Sequence, residues 1–249
     1  RTAELEYALN KVGCKALVSM RAFKTSDYLG MLRELAPELG LCLPGKLAAK
    51  RLPSLRTVVW IDVAGEGQEE PGMWRFSELL ARGEPQDERI DTLAATLKNT
   101  DPINIQFTSG TTGFPKGATL THRNILNNGF FIGECMKLTE QDRLCIPVPL
   151  YHCFGMVLGN LACLTHGATI VYPNDGFDAL TVLETVQAER CTGLHGVPTM
   201  FIAELDHPRF AEFDLSSLRT GIMAGSPCPI EVMKRVVSDM HLSQITIAY

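Results

Sequence analysis

Between Arg143 and Asp175 the chain runs for 31 residues, Leu144 to Asn174, without one Asp, Glu, Lys or Arg. A charge-free stretch of that length has to leave water, either into a bilayer or into the interior of a folded protein. Pro147, Pro149, Tyr151, His152, Asn160, His166 and Pro173 decide between the two. They cut the stretch into pieces too short to span a bilayer, and they place polar groups where lipid would leave them unpaired. A buried strand, helix and strand is therefore expected: "RLCIPVPL", then "FGMVLGNLACLTHG" ending on Gly167, then "ATIVYP".

The same rhythm extends in both directions. Upstream, "INIQF" reads as a buried strand, followed by a glycine-rich loop and the helix "HRNILNNGFFIGECMKL". Downstream, Asp178 is placed to cap the helix "ALTVLETVQAER", "CTGLHGV" is strand-like, and Pro198 suits the first turn of "TMFIAEL". "LRTGIMAG" is a further strand, "IEVMKRVVSDM" puts Ile230, Met233, Val236, Val237 and Met240 on one helical face, and "QITIAY" closes the series. Strands alternating with helices define an α/β class with mostly parallel sheets covered by helices. Residues 1–100 are less regular. "TAELEYALNKVG" is helix-like, "KALVSM" and "TVVWIDV" read as strands, Ser26 and Asp27 precede the helical "YLGMLRELAPEL", and "AGEGQEEPG" reads as a surface loop. The expected organisation is one partial domain over 1–249, irregular to residue 100 and a repeated β/α part from 101.

Hydrophobic residues at 45% and charged residues at 20% support a substantial core. Net charge is -5 with no Lys/Arg cluster, so neither nucleic acid nor a membrane surface is an expected partner. Cys14, Cys42, Cys135, Cys145, Cys153, Cys163, Cys191 and Cys228 are scattered, without a C-x-x-C pair or paired metal-ligand spacing. They read as buried thiols of a reducing compartment rather than a disulfide framework or metal site.

The loop "TSGTTGFPKGAT", Thr108 to Thr119, carries the chemistry. Glycines after a strand let backbone N–H groups surround an anion, hydroxyls add donors, and a lysine supplies the charge a polyphosphate requires. The P-loop pattern G-x-x-x-x-G-K-[ST] fails here, with Pro115 where it needs Gly and Gly117 where it needs Ser or Thr. A glycine-rich surface turn without ligand remains the alternative at this point.

Read more widely, "FTSGTTGFPKGATLTH" resembles, almost residue for residue, the phosphate-binding signature of the adenylate-forming superfamily of acyl-CoA synthetases, luciferases and peptide-synthetase adenylation domains. "PLYHCFG", "HGVPTMF" and "MAGSPCP" follow in the superfamily's order, and the final "IAY" is similar to the opening of its aromatic-Gly-x-Thr-Glu motif. Within the superfamily the resemblance is to mitochondrial medium-chain fatty acyl-CoA ligases. It implies activation of a fatty acid by ATP as acyl-AMP, transfer to CoA, and a matrix location.

Carried over residue by residue, Thr108, Ser109, Gly110, Thr111, Thr112, Gly113, Phe114, Pro115 and Lys116 would embrace the β- and γ-phosphates, with side-chain contacts from Thr111 and Thr112. His152 would lie beside the carboxylate and α-phosphate. Ala224, Gly225 and Ser226 would run along the adenine, with Tyr249 packed on it, and Gly196 would help line the acyl pocket. The resemblance also implies that the Glu holding Mg²⁺, the Asp gripping ribose and the lysine-bearing C-terminal domain lie outside these 249 residues. The chain is then expected to be an internal fragment of a large N-terminal domain, inactive alone. A non-catalytic nucleotide-binding module and a retained scaffold are the competing classes.

Overall fold

Leu144 and Cys145 are both fully buried, yet they belong to different cores. Adjacent strand residues point to opposite faces of a sheet, so a strand with no solvent side must be apolar on both. The computed structural model describes residues 1–62, 69–84, 86–108 and 114–248. It divides into two units, Arg1–Leu97 with Phe107–Ala118, and Lys98–Gln106 with Thr119–Tyr249.

The second unit is built on a five-stranded sheet. Arg143–Cys145 lies between Thr169–Val171 and Gly193–Gly196, which is followed by Thr220–Met223 and then Gln244–Ile247. Every neighbouring pair is parallel, with Leu144 opposite both Ile170 and Gly193. The charge-free run thus becomes what its composition demands: a central strand, a helical layer and an edge strand. Helix His122–Met136 and the helical segment Phe154–His166 supply Met136, Phe154, Ala162 and Cys163 to the core that includes Leu144, Ile146 and Ile222. Helices Ala179–Ala188, Pro198–Leu205 and Ile230–Asp239 supply Val182, Leu183, Phe201, Leu205 and Val236 to the core on the face of Cys145, Leu194 and Met223. Each buried Leu, Val or Phe side chain stabilises by about 1.5–3 kcal/mol.

Helix ends follow local chemistry. The Asp178 carboxylate accepts from the Thr181 N–H at 2.8 Å, Pro198 opens its helix, and Gly167 closes another at φ 69°.

Several sequence expectations are corrected. "INIQF" is a strand, Pro102–Phe107, but Ile103 and Ile105 are 46% and 44% exposed, and it pairs with Gly117–Thr121 in a two-stranded sheet. "RLCIPVPL" is a regular strand only to Cys145, because Pro147 and Pro149 cannot donate to a ladder. Phe154–Leu161 winds as a π-helix rather than an α-helix. On Ile230–Asp239, Val236 is buried, whereas Ile230 and Val237 are exposed and line an open apolar hollow with Cys228, Met233, Lys234 and Ile247. That hollow contains none of the expected site residues.

The first unit pairs Ala16–Met20, Thr57–Ile61 and Trp74–Arg75 in a parallel three-stranded sheet. Helices Thr2–Lys11 and Tyr28–Leu35 contribute Leu9, Leu29, Leu32 and Leu35 to a core around Trp60. Asp27 caps the second helix through the Gly30 N–H at 2.8 Å, and the helix stops before Pro37. In the expected surface loop, residues 64–68 lie outside the described residues, and Glu70 is buried. It pairs with Arg21 at 2.6 Å and with Arg33, because a carboxylate leaving water needs cations beside it.

No helix among the described residues is long and apolar enough to cross a membrane. All eight cysteines are free thiols: Cys145, Cys163 and Cys191 are buried, whereas Cys135 and Cys153 are exposed, against the expectation of buried thiols throughout.

Candidate functional site

In the first unit the glycine-rich loop stands on a two-bond neck. The Thr108 N–H donates to the Lys116 carbonyl at 2.9 Å, and the Lys116 N–H donates to Thr108 Oγ1 at 3.1 Å. Strands Pro102–Phe107 and Gly117–Thr121 continue from the neck on either side. Thr108, Phe114 and Lys116 are exposed and Pro115 is half-buried. Ser109, Gly110, Thr111, Thr112 and Gly113 lie outside the described residues.

In the second unit the strand order makes one place special. From the central strand Arg143–Cys145 the chain goes to Thr169–Val171 on one side, then returns to Gly193–Gly196 on the other. In open α/β sheets, ligands bind at the carboxyl ends of the strands where the winding reverses. His152 follows the carboxyl end of the central strand, and Ala224, Gly225 and Ser226 follow that of Thr220–Met223. One strand intervenes, so these strand ends are roughly 10 Å apart.

His152 is exposed rather than part of the core. Its Nδ1 accepts the Phe154 backbone N–H at 3.1 Å, so the imidazole proton resides on Nε2. Among the described residues no hydrogen bond is made by Nε2 of His152. Its backbone is equally engaged: the His152 N–H donates to the Pro149 carbonyl at 3.3 Å, and its own carbonyl accepts from Met156 at 3.0 Å. Gly155 is required here, since a Cβ would stand 2.5 Å from the Pro149 oxygen. The π-helix begins directly after this turn, a geometry that recurs at functional sites. Cys153 Sγ lies 3.7 Å from His152 Nδ1.

Ala224 is buried and tied to the neighbouring strand by its N–H to the Gly196 carbonyl at 3.3 Å. Gly225 turns the chain at φ 88°, where a Cβ would also meet Val197 Cγ1 at 3.0 Å. Ser226 is exposed just beyond this turn. The space a Cβ would take at Gly196 is filled by the Phe201 ring at 2.9 Å. Tyr249 lies outside the described residues.

Two histidines near the strand ends thus have opposite characters. His195, in the strand Gly193–Gly196, is fully buried; burial pulls its pKa down to about 4, against the opposing pull of the Leu158 carbonyl. Its Nδ1 accepts from the Ile222 N–H at 3.2 Å, and Nε2 donates to the Leu158 carbonyl at 3.0 Å. Every polar atom is paired, so this ring is structural. A "GLHGV" run alone cannot show that, because alternation in a doubly buried strand gives no polar face.

The five parallel strands, wound to either side of a central strand with a helical core on each face, define a doubly wound α/β fold. Solved structures agree: an anthranilate CoA ligase, AuaEII, in complex with anthranoyl-AMP superposes with a TM-score of 0.77 at 23% identity, covering 100% of this chain and 43% of that one. The N-terminal domain of FACL13 from Mycobacterium tuberculosis, solved with an inhibitor, gives 0.60 at 21% identity, covering 99% and 65%. The family model of AMP-binding enzymes matches residues 1–249, and the chain belongs to that family. It is 50% identical to the putative acyl-CoA synthetase YngI of Bacillus subtilis over 99% of its length. To the mitochondrial medium-chain acyl-CoA ligase ACSF2 of Homo sapiens it is 43% identical, again over 99%. The chain spans 44% and 40% of the lengths of those two relatives.

Proposed function

We propose that the protein bearing this chain is an ATP-dependent acyl-CoA ligase acting on medium-chain fatty acids. The observation that supports this is His152, an exposed imidazole whose Nδ1 is occupied by the Phe154 N–H, in the segment that follows the central strand. A carboxylate oxygen attacks the α-phosphorus, the acyl–O–P bond forms, and the bond to the β-phosphate breaks with its electron pair leaving on pyrophosphate. Two anions must meet for this, so the main tasks are alignment and charge stabilisation. Thr108 to Lys116 take the β- and γ-phosphates, Nε2–H of His152 donates to the carboxylate and α-phosphate oxygens, and Ala224 to Ser226 with Tyr249 hold the adenine. In the second half-reaction the CoA thiol gives up its proton to solvent and its sulfur attacks the acyl carbonyl; the C–S bond forms and the acyl C–O bond breaks with its electron pair leaving on AMP.

Mg²⁺ supplies positive charge to the phosphates in this chemistry. Among the described residues no group of three or more His, Cys, Asp or Glu is placed to hold a metal ion. We assign the Mg²⁺-binding Glu, the ribose-binding Asp and the adenylation lysine to the part of the relatives that this chain does not span, and propose that the 249 residues alone are inactive. Partners are then small molecules: acid, ATP and CoA. The names of the Danio rerio and Homo sapiens relatives say mitochondrial, which supports a mitochondrial location for a eukaryotic bearer; the matrix is our proposal.

Acid-dependent ATP–pyrophosphate exchange, measured on the whole protein and on the 249 residues, tests both parts. Exchange by the whole protein with a medium-chain acid and none by the chain alone is expected. A whole protein that binds ATP without exchange under any medium-chain acid would instead be a non-catalytic nucleotide-binding module. Exchange by the chain alone would remove the proposed inactivity.

A further inference from the structure

Within the first unit one side chain touches both flanks of the glycine-rich loop. Tyr7, on the helix Thr2–Lys11, sets its ring edge-on to Phe107 at 6.4 Å and 70°, and stacks on Phe114 at 5.2 Å and 27°. Its hydroxyl donates to the Pro115 carbonyl at 3.1 Å. Phe107 precedes the loop, and Phe114 and Pro115 lead out of it.

The hydroxyl contact falls on a particular peptide unit. The Pro115 carbonyl and the Lys116 N–H belong to one planar group. Tyr7 holds its oxygen, and Thr108 Oγ1 accepts from its N–H at 3.1 Å. Proline already fixes its own φ near −65°. With both ends of the following peptide pinned, the direction in which Lys116 leaves the backbone is set before any ligand arrives. Phe114 is 78% exposed, so ring stacking from Tyr7 is what steadies an otherwise solvent-facing arm.

We propose that Tyr7 is a positioning residue for ATP: it fixes the Pro115–Lys116 peptide so that the Lys116 ammonium meets the polyphosphate already aimed. This rests on assigning the loop to the phosphates of ATP. Pre-aiming a lysine removes the cost of immobilising it on binding, so its loss falls on ATP and spares the fatty acid.

The test uses the whole protein and ATP–pyrophosphate exchange. Tyr7→Phe deletes only the hydroxyl and should raise the KM for ATP about threefold, whereas Tyr7→Leu, which also removes the stacking, should raise it roughly tenfold. The KM for the acid should stay within about twofold, with the melting temperature of Tyr7→Phe unchanged. Added to Lys116→Ala, Tyr7→Phe should cost nothing further, because both act through one ammonium. If Lys116→Ala raises the ATP KM while Tyr7→Phe leaves it unmoved, Tyr7 has no positioning role. Equal rises for ATP and acid overturn the proposal likewise. If Lys116→Ala itself is without effect on ATP, the assignment of the loop fails instead. Should Tyr7→Leu not fold, Tyr7→Phe alone decides.

Discussion

The backbone N–H of Phe154 donates to Nδ1 of His152, two residues back, at 3.1 Å. A ring nitrogen that accepts a backbone N–H cannot also carry a proton, so this backbone contact selects the tautomer. The proton is thereby left to Nε2. Removing the ring should consequently affect chemistry and not folding.

His152→Ala in the whole protein is expected to slow adenylate formation by a factor of roughly 10² to 10³, the loss seen for one positioned donor to developing charge. Because the ring is exposed, the melting temperature should hold. Rapid-quench measurement of acyl-AMP beside a melting curve checks both. A fall in melting temperature with an unchanged adenylation rate would make His152 structural.

His195 should set the acid limit of stability. Its folded pKa is drawn down to about 4 from 6.5 by burial, so between those values the unfolded chain binds the proton and the folded one does not. Its stabilising contribution is complete above about pH 6.5 and is lost progressively as pH falls toward 4, amounting to about 3 kcal/mol. His195→Asn abolishes this titration and should flatten the fall in melting temperature over that window. An unchanged acid limb would refute the assignment.

Glu204 should limit stability in the other direction. It is fully buried, neither carboxylate oxygen has a partner, and burial pushes its pKa well above the usual carboxyl range. The folded state keeps the proton that the unfolded state releases above about pH 4.5, so stability declines as pH rises from there. Glu204→Met is expected to stabilise by on the order of 1–3 kcal/mol at neutral pH, and more at higher pH. Thermal melts across pH decide it; a destabilised variant would mean that the carboxyl has a partner in solution.

Alkylation should discriminate among the cysteines. Burial pushes the Cys163 thiol up to about 12, and Cys145 and Cys191 are buried, whereas Cys135 and Cys153 are exposed. Iodoacetamide is expected to label Cys153 and Cys135 first and to abolish adenylate formation through Cys153, whose sulfur lies 3.7 Å from His152 Nδ1. Cys153→Ser should resist inactivation, as peptide mapping with an activity assay would show. Equal sensitivity of that variant would assign the effect elsewhere.

The α/β class was legible because parallel strands buried on both faces are written as apolar runs, and Asp178, Pro198 and Gly167 mark helix ends by local rules. Burial of Pro102–Phe107 was misjudged because "INIQF" has the composition of a central strand, while its exposure depends on which neighbours pair with it. Glu70 was read as surface since its cations, Arg21 and Arg33, are far away in sequence. Tyr7 carried no signal for the same reason: its partners Phe107, Phe114 and Pro115 are some hundred residues on. The role proposed for His152 rests on its motif, and the Phe154 N–H contact that fixes its tautomer carried no sequence signal, since a proton's position is decided by a turn.

The π-helix Phe154–Leu161 has a consequence for how sequences of this family can diverge. A π-turn closes its hydrogen bonds over one more residue than an α-turn, so the winding of this segment depends on its residue count. Losing a single residue from Phe154–Leu161 would restore ordinary pitch and swing the preceding turn by about 100° around the helix axis. Such a deletion would keep the reading frame of the protein, yet turn the His152 segment to a different direction relative to the helix that follows it. Length in this segment is therefore constrained alongside identity, which is already fixed at Gly155, where a Cβ would stand 2.5 Å from the Pro149 oxygen.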